Sequence, residues 1–231
     1  MKICVFTDIH GNLESLNLLM QTNDFKTSDL KICLGDAVVM GPYPNECCEV
    51  LLKNDCIWLM GNHDSYIANG LPEEEYKFFK PDKIAHQNYM RSIIKNEHKE
   101  IMKNLPKDYL INIGAKKLYF THYIWETCNN VIDNPNVPTV ENISQIYKNI
   151  NADYIFYGHE HHFSHFKDTS KEYICVGSLG MVHPGHYTII EAENNTIKIK
   201  HKTINFNLEK YKQDILNSNY PRAEKYTKFF N

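Results

Sequence analysis

Short apolar runs alternate with polar clusters along the first sixty residues. Residues 2–7 are apolar and few, as in a buried strand. Asn12 stands where it can cap a helix whose apolar positions, Leu13, Leu16, Leu19 and Met20, recur near helical spacing. Residues 30–34 read as a second strand. Pro44 opens a second helix that reaches Val50, Leu51 and Leu52, and residues 56–60 read as a third strand. This βαβαβ order predicts a parallel sheet with helices on its faces.

From Tyr66 to about Tyr109 the chain is charged, rich in Lys and Glu, and helical in pattern, with Pro72, Pro81 and Pro106 as breaks. It reads as a helical insertion between strands. Residues 110–113 and 117–121 follow as strands split by a Gly114-Ala115 turn, then a loop with Pro135 and Pro138. A helix near 140–149 and a strand at 154–157 come next. The last third predicts strands near 173–176, 187–191 and 196–202, with an Asn194-Asn195 turn. Short amphipathic helices around 208–216 and 222–230 form a tail from about residue 207 to 231. The expected organisation is one domain over residues 1–231, carrying an insertion at about 66–109.

Composition changes this picture little. A net charge of −3 gives no reason to expect capture of duplex nucleic acid. No run approaches the ~18 apolar residues of a membrane helix. The opening run is too short for a signal peptide, and Cys4, Cys33 and Cys175 sit inside apolar runs, so the expectation is a cytoplasmic protein with reduced thiols. The pair Cys47-Cys48 has no second pair to complete a metal site. Phe229-Phe230 suits either a homodimer contact or a packed terminus.

The chemistry gathers where apolar runs end. Asp8 and His10 follow Thr7; Gly35-Asp36 follows Leu34; Gly61-Asn62-His63-Asp64 follows Met60; His122 follows Thr121; Gly158-His159-Glu160-His161 follows Tyr157. Ligands of open α/β sheets bind at the carboxyl ends of strands, so these clusters are expected to converge on one edge. Each cluster alone is a common turn or a buried histidine; the five together are not. Asp, His and an amide oxygen suit manganese, iron or zinc. Seven such groups exceed the needs of a mononuclear zinc site and fit two metals sharing a carboxylate.

In their order these motifs resemble the calcineurin-like metallophosphoesterases, over a stretch from Lys2 to about Gly180. The resemblance implies a four-layer αββα sandwich and two divalent or mixed-valence metal ions, manganese first, with iron or zinc as alternatives. It implies that one metal takes Asp8, His10, Asp36 and His161, and the other Asp36, Asn62, His122 and His159. A bridging hydroxide would then attack phosphorus in a small phosphate ester or nucleotide. By the same resemblance His63 faces the leaving group, and Asp64 orients His63. The stretch from Gly35 to Glu46, with Gly41, Pro42, Pro44 and Asn45, looks like the small prokaryotic branch of phosphodiesterases and diadenosine-tetraphosphatase-like enzymes. Protein serine/threonine phosphatases carry Asp-Arg where this chain has Val39-Met40.

Two departures stand out. Tyr123 occupies a position that is often Gly, which predicts a bulkier loop and an altered cleft. Val176-Gly177-Ser178-Leu179-Gly180 lacks the Asn-Pro that usually begins this turn. The expected activity is phosphodiester hydrolysis, with dinucleoside polyphosphate hydrolysis as the runner-up. A nuclease fits the acidic balance less well, and an inert scaffold should have lost ligands that are all present. Only Arg91 and Arg222 supply guanidinium groups, so metals and histidine must carry most of the phosphate binding. His86, Tyr89 and Arg91 are candidate substrate contacts from an insertion that reads equally well as a plain stabilising hairpin.

Overall fold

The computed structural model describes residues 1–125, 138–193 and 195–230. Pro135 and Asn194 therefore lie outside the described residues. The first half runs β1 (Lys2–Phe6), α1 (Leu13–Gln21), α2 (Asn23–Lys26), β2 (Leu30–Cys33), α3 (Pro44–Lys53) and β3 (Ile57–Trp58). Four helices follow: α4 (Asn62–Asn69), α5 (Glu73–Phe78), α6 (Pro81–Ile93) and α7 (Asn96–Lys103). The second half runs β4 (Asp108–Ile113), β5 (Lys116–Thr121), α8 (Val140–Ile146), β6 (Tyr154–Tyr157), β7 (Phe163–Lys167) and β8 (Glu172–Val176). It ends in β9 (Gly185–Glu193), β10 (Thr196–Ile204), α9 (Leu208–Asn217) and α10 (Ala223–Thr227).

The strands form two five-stranded sheets, ordered β10-β9-β1-β2-β3 and β4-β5-β6-β8-β7. The expected parallel unit is present: β1 pairs with β2, and β2 with β3, both parallel. The last strands join this first sheet antiparallel, since β9 pairs with β1 in reverse. The edge strand β7 has no counterpart in the sequence reading.

Alternation within the strands builds three apolar layers. Ile3 and Val5 of β1 point between the sheets, while Cys4 and Phe6 point to the helices outside. In β6, Phe156 faces the inter-sheet layer, and Ile155 and Tyr157 face α8. Strands buried on both faces read as continuous apolar runs, which is why they were visible in the sequence. The result is a four-layer αββα sandwich with α4 to α7 inserted between β3 and β4. Met90, Ile94 and Met102 anchor those helices in the core beneath α1 and α3.

The tail joins the same layer through Tyr211, Ile215, Tyr220 and Tyr226. Phe230 packs there too, whereas Phe229 is exposed. Six described cysteines are free thiols, and Cys47 and Cys48 are fully buried in α3, where burial holds both thiols well above their usual pKa. No helix among the described residues is long and apolar enough to cross a membrane.

Phe120 and Phe156 stack between the sheets with ring centroids 5.0 Å apart. Phe120→Ala is expected to cost about 3–5 kcal/mol, the range for emptying an aromatic core site. Urea unfolding should show a lower midpoint with an unchanged slope. A loss under about 1 kcal/mol would mean the sheets do not depend on this contact.

Candidate metal centre

The candidate ligands come from both sheets and meet across one end of the sandwich. Asp8, His10, Asp36 and Asn62 follow β1, β2 and β3 of the first sheet; His122, His159 and His161 follow β5 and β6 of the second. The sequence expectation of one sheet edge is therefore corrected to two facing edges. Backbone bonds lace these ends together. Asp8 N donates to Gly35 O (3.0 Å), His10 N to Asp36 O (3.0 Å), and Gly158 N to His122 O (2.9 Å).

This lacing holds an unfavourable backbone. Asp8, His10, Asp36, His159 and His161 all have positive φ, between 49° and 71°. Such a conformation is uncommon for residues other than glycine and concentrates at functional sites. With this backbone the side chains of neighbouring loop residues gather at one end of the sandwich. Gly35 is required next to Asp36 because a Cβ there would meet Gly61 N at 2.4 Å. The ends of β2 and β3 touch at this point.

The ligand atoms form two groups. Asp8, His10 and His161 offer atoms within 4.8 Å of one another, and so do Asp8, Asp36 and His122. His10 Nε2 and His161 Nε2 face each other at 3.1 Å. Asn62 Oδ1 lies 3.0 Å from both His122 Nε2 and His159 Nδ1. Asp36 Oδ2 stands between the groups, 3.4 Å from His122 Nε2 and 3.8 Å from His10 Nε2. Atoms bound at about 2.0–2.2 Å to one ion lie roughly 3 Å or more from each other, so this spacing fits metal binding. Asp8 Oδ1 and His122 Nδ1 are buried without a hydrogen bond.

Burial and charge oppose each other here. Burial pushes the Asp8 and Asp36 carboxyls up, but His161 beside Asp8 and His122 beside Asp36 outweigh it and hold both below the usual range. His122 is raised to about 9 because Asp36 overcomes its desolvation. His159 falls to about 4 through burial and the His122 charge. Burial likewise holds His63 well below its usual value.

His63 and Asp64 divide their roles differently from the expectation. Both lie in the first turn of α4, where Asp36 Oδ1 accepts from His63 N at 2.8 Å. Consecutive helix residues do not face each other. Accordingly, the Asp64 carboxylate does not reach the His63 ring. It accepts from Asp36 N (2.8 Å), Ala37 N (3.0 Å), Gly61 N (3.1 Å) and Trp58 Nε1 (3.3 Å). Burial and the nearby Asp36 charge push Asp64 up to about 7, against the pull of the Gly61 and Ala37 amides. Its task is to clamp the Asp36 loop. The ring partner of His63 is Gln87 of α6, whose Nε2 lies 2.7 Å from His63 Nδ1. Gln87 shares a helical stripe with Met90 and Ile94, all three buried, and that spacing was its signal in the sequence.

The three proposed substrate contacts fare differently. His86 is completely buried, with Met40 N donating to its Nε2 (3.2 Å) and Pro221 O 2.8 Å from its Nδ1. It is therefore corrected to a packing residue. Arg91 Nε donates to Ile67 O (2.9 Å), and the exposed Tyr89 ring leans toward Tyr220.

Tyr123 is also corrected. It is fully buried, tilted against His159 with centroids 4.9 Å apart, and donates to Glu160 Oε1 (3.0 Å). It supports the ligand loop from the core and leaves the cleft unobstructed. The turn from Val176 to Gly180 braces the other side. Ser178 Oγ donates to Asp8 O (2.7 Å), and Ser178 N donates to His161 O (3.0 Å).

Known proteins share this fold. A calcineurin-like phosphoesterase superfamily domain matches residues 1–195. An uncharacterized protein of Methanocaldococcus jannaschii is 36% identical over 132 residues, 54% of this chain and 52% of its own length. The aligned part thus spans about half of that relative. A hypothetical protein from Pyrococcus horikoshii shares the fold with a TM-score of 0.81 at 19% identity, over 98% of this chain and 96% of its own. A metallophosphoesterase from Sphaerobacter thermophilus does so at 0.76 and 18% identity, over 99% and 97%. With the domain match covering most of its length, the chain belongs to the calcineurin-like phosphoesterase superfamily.

Proposed function

We propose that this phosphoesterase holds two divalent metal ions and cleaves small phosphate diesters. One observation carries the reading: Asp36 Oδ2 stands between two groups of ligand atoms, 3.4 Å from His122 Nε2 and 3.8 Å from His10 Nε2. One ion would be held by Asp8, His10, Asp36 and His161, the other by Asp36, Asn62, His122 and His159. This mixture of carboxylate, amide and imidazole suits manganese, with iron or zinc as alternatives. When bound, such a pair supplies Lewis acidity and an activated water for in-line displacement.

The chain's own residues do the rest. The Asp36 and Asp8 carboxylates would hold the ions whose positive charge attracts a phosphate. His63, its ring 5.4 Å from that of His10, offers its ring N–H to the leaving oxygen as a hydrogen bond that strengthens as charge develops there. The Gly35–Glu46 stretch, with Val39-Met40 in place of Asp-Arg, favours a small diester over a phosphoprotein. The competing substrate is a dinucleoside polyphosphate, and the exposed Tyr76 and Phe78 rings on α5 would suit its bases.

Metal analysis after manganese loading should give two ions per chain, and Asp36→Asn should lower both occupancy and turnover. A loaded stoichiometry of one or less would remove the binuclear reading. His63→Ala should retain its metal and lose roughly 10²–10³-fold in turnover, the range for losing one hydrogen-bond donor to developing charge. That loss should shrink for a nitrophenyl ester, whose leaving group needs no proton. An emptied metal site in His63→Ala would show His63 to be a ligand instead. On a panel of monoester, diester, cyclic nucleotide and dinucleoside polyphosphate, the diester should turn over fastest. If Tyr76→Ala and Phe78→Ala selectively weaken the dinucleotide, the competing substrate is the right one.

A further inference from the structure

We propose that Gln87 of the helical insertion is a positioning residue that fixes His63 with its ring proton on Nε2. The inference rests on the proposed role of His63 and extends it to a residue on a different element.

Gln87 is 4% exposed, and its side chain ends on His63 Nδ1 at 2.7 Å. That length is a full hydrogen bond. Two arrangements can make it. In one, the amide N–H donates to a bare Nδ1, so the ring proton sits on Nε2. In the other, the amide oxygen accepts from Nδ1–H, and Nε2 is bare. The amide's second atom decides between them. Gln87 Oε1 is buried and makes no hydrogen bond. With the amide reversed, the NH₂ group would have both donors unmet, instead of one donor and one acceptor. Orphaned buried donors are rarer than under-used acceptors, and each buried polar group left unpaired is unfavourable. The first arrangement therefore holds.

The consequence is chemical. A proton on Nε2 lies across the ring from Gln87, on the nitrogen free to meet a leaving oxygen. Asp64 cannot set this tautomer, because its carboxylate is taken up by the Asp36, Ala37 and Gly61 amides. The ring is enclosed on its other sides by Tyr66, with centroids 5.7 Å apart, and by His10. Hence Gln87 supplies the directional contact that packing alone does not. It also makes the insertion part of the reaction without any direct contact to substrate.

The test uses metal-loaded full-length protein and two diesters, one with an alkyl and one with a nitrophenyl leaving group. Gln87→Met keeps the length and removes the donor; Gln87→Glu keeps the shape and offers only acceptors. Each should lower kcat on the alkyl diester about 10–100-fold, as loss of a supporting partner does, with KM, metal content and Tm little changed. The loss on the nitrophenyl diester should be several-fold smaller. The double variant Gln87→Met/His63→Ala should be no slower than His63→Ala, because both changes remove one unit. Nitrogen-15 spectra of the zinc-loaded wild type should place the His63 proton on Nε2, and Gln87→Glu should move it to Nδ1. Additive losses, equal losses on both diesters, or a wild-type proton on Nδ1 would overturn the proposal. If His63→Ala keeps its rate on the alkyl diester, the role of His63 falls, and Gln87's with it. If only the Gln87 variants keep theirs, this proposal fails alone.

Discussion

The Asp36 carboxylate is held at the meeting point of almost everything else in the site. Its Oδ1 accepts from His63 N and so receives the first turn of α4, while its Oδ2 lies between the two ligand groups. Its own amide is held by Asp64, and its carbonyl holds His10 N. A carboxylate with no exposed surface to spare is costly to bury unless its charge is met by such partners. The same bonds that stabilise it also fix a left-handed backbone at φ 52°. The position of one charge thereby sets the start of a helix, the angle of a histidine and the spacing of two strand ends.

That constraint explains why the clustering of the candidate ligands was legible in the sequence and their supports were not. Ligand residues stand directly after short apolar runs, and strands buried on both faces give an unmistakable pattern. Residue type and order then do the rest. The supports carry no such mark. Tyr123 reads as a bulky loop residue because nothing in its neighbourhood announces the aromatic layer of Tyr147 and Tyr157 that receives it. His86 looks like a substrate contact because histidines often are, yet Pro221 lies far along the chain. The resemblance pairs Asp64 with His63, although a helix separates neighbours by about 100°. The missed strand β7 is short, interrupts its apolar positions with His165 and Lys167, and lies on a sheet edge, where alternation is weakest.

The helical insertion and the tail take on meaning from what they hold. His86 joins the Met40 amide of the ligand loop to the Pro221 carbonyl of the tail, and the Tyr220 hydroxyl donates to Met40 O. The Tyr211 hydroxyl donates to His10 O (3.4 Å) from the same tail. Val39 and Met40 both have positive φ, so this loop needs outside bonds to keep its shape. Two segments distant in sequence, α6 and the tail, therefore lock this strained loop behind the candidate ligands.

Such locking has a chemical reason. An imidazole that must meet a leaving oxygen gains from being held in place before the substrate arrives, since orientation supplied in advance is not charged against the reaction. His63 sits on α4, a regular element, and is gripped by α6, another. α6 is in turn fixed by Met90 in the core and by His86 against the tail. Functional groups on helices braced by packed neighbours keep their geometry better than groups on free loops. A change at Pro221 or Tyr220 can thus reach the His63 ring through α6 without touching a ligand. The fold places the candidate ligands by strand ends, and it places His63 by helix packing. These two kinds of control meet at Asp36, where the β2 loop accepts the first turn of α4.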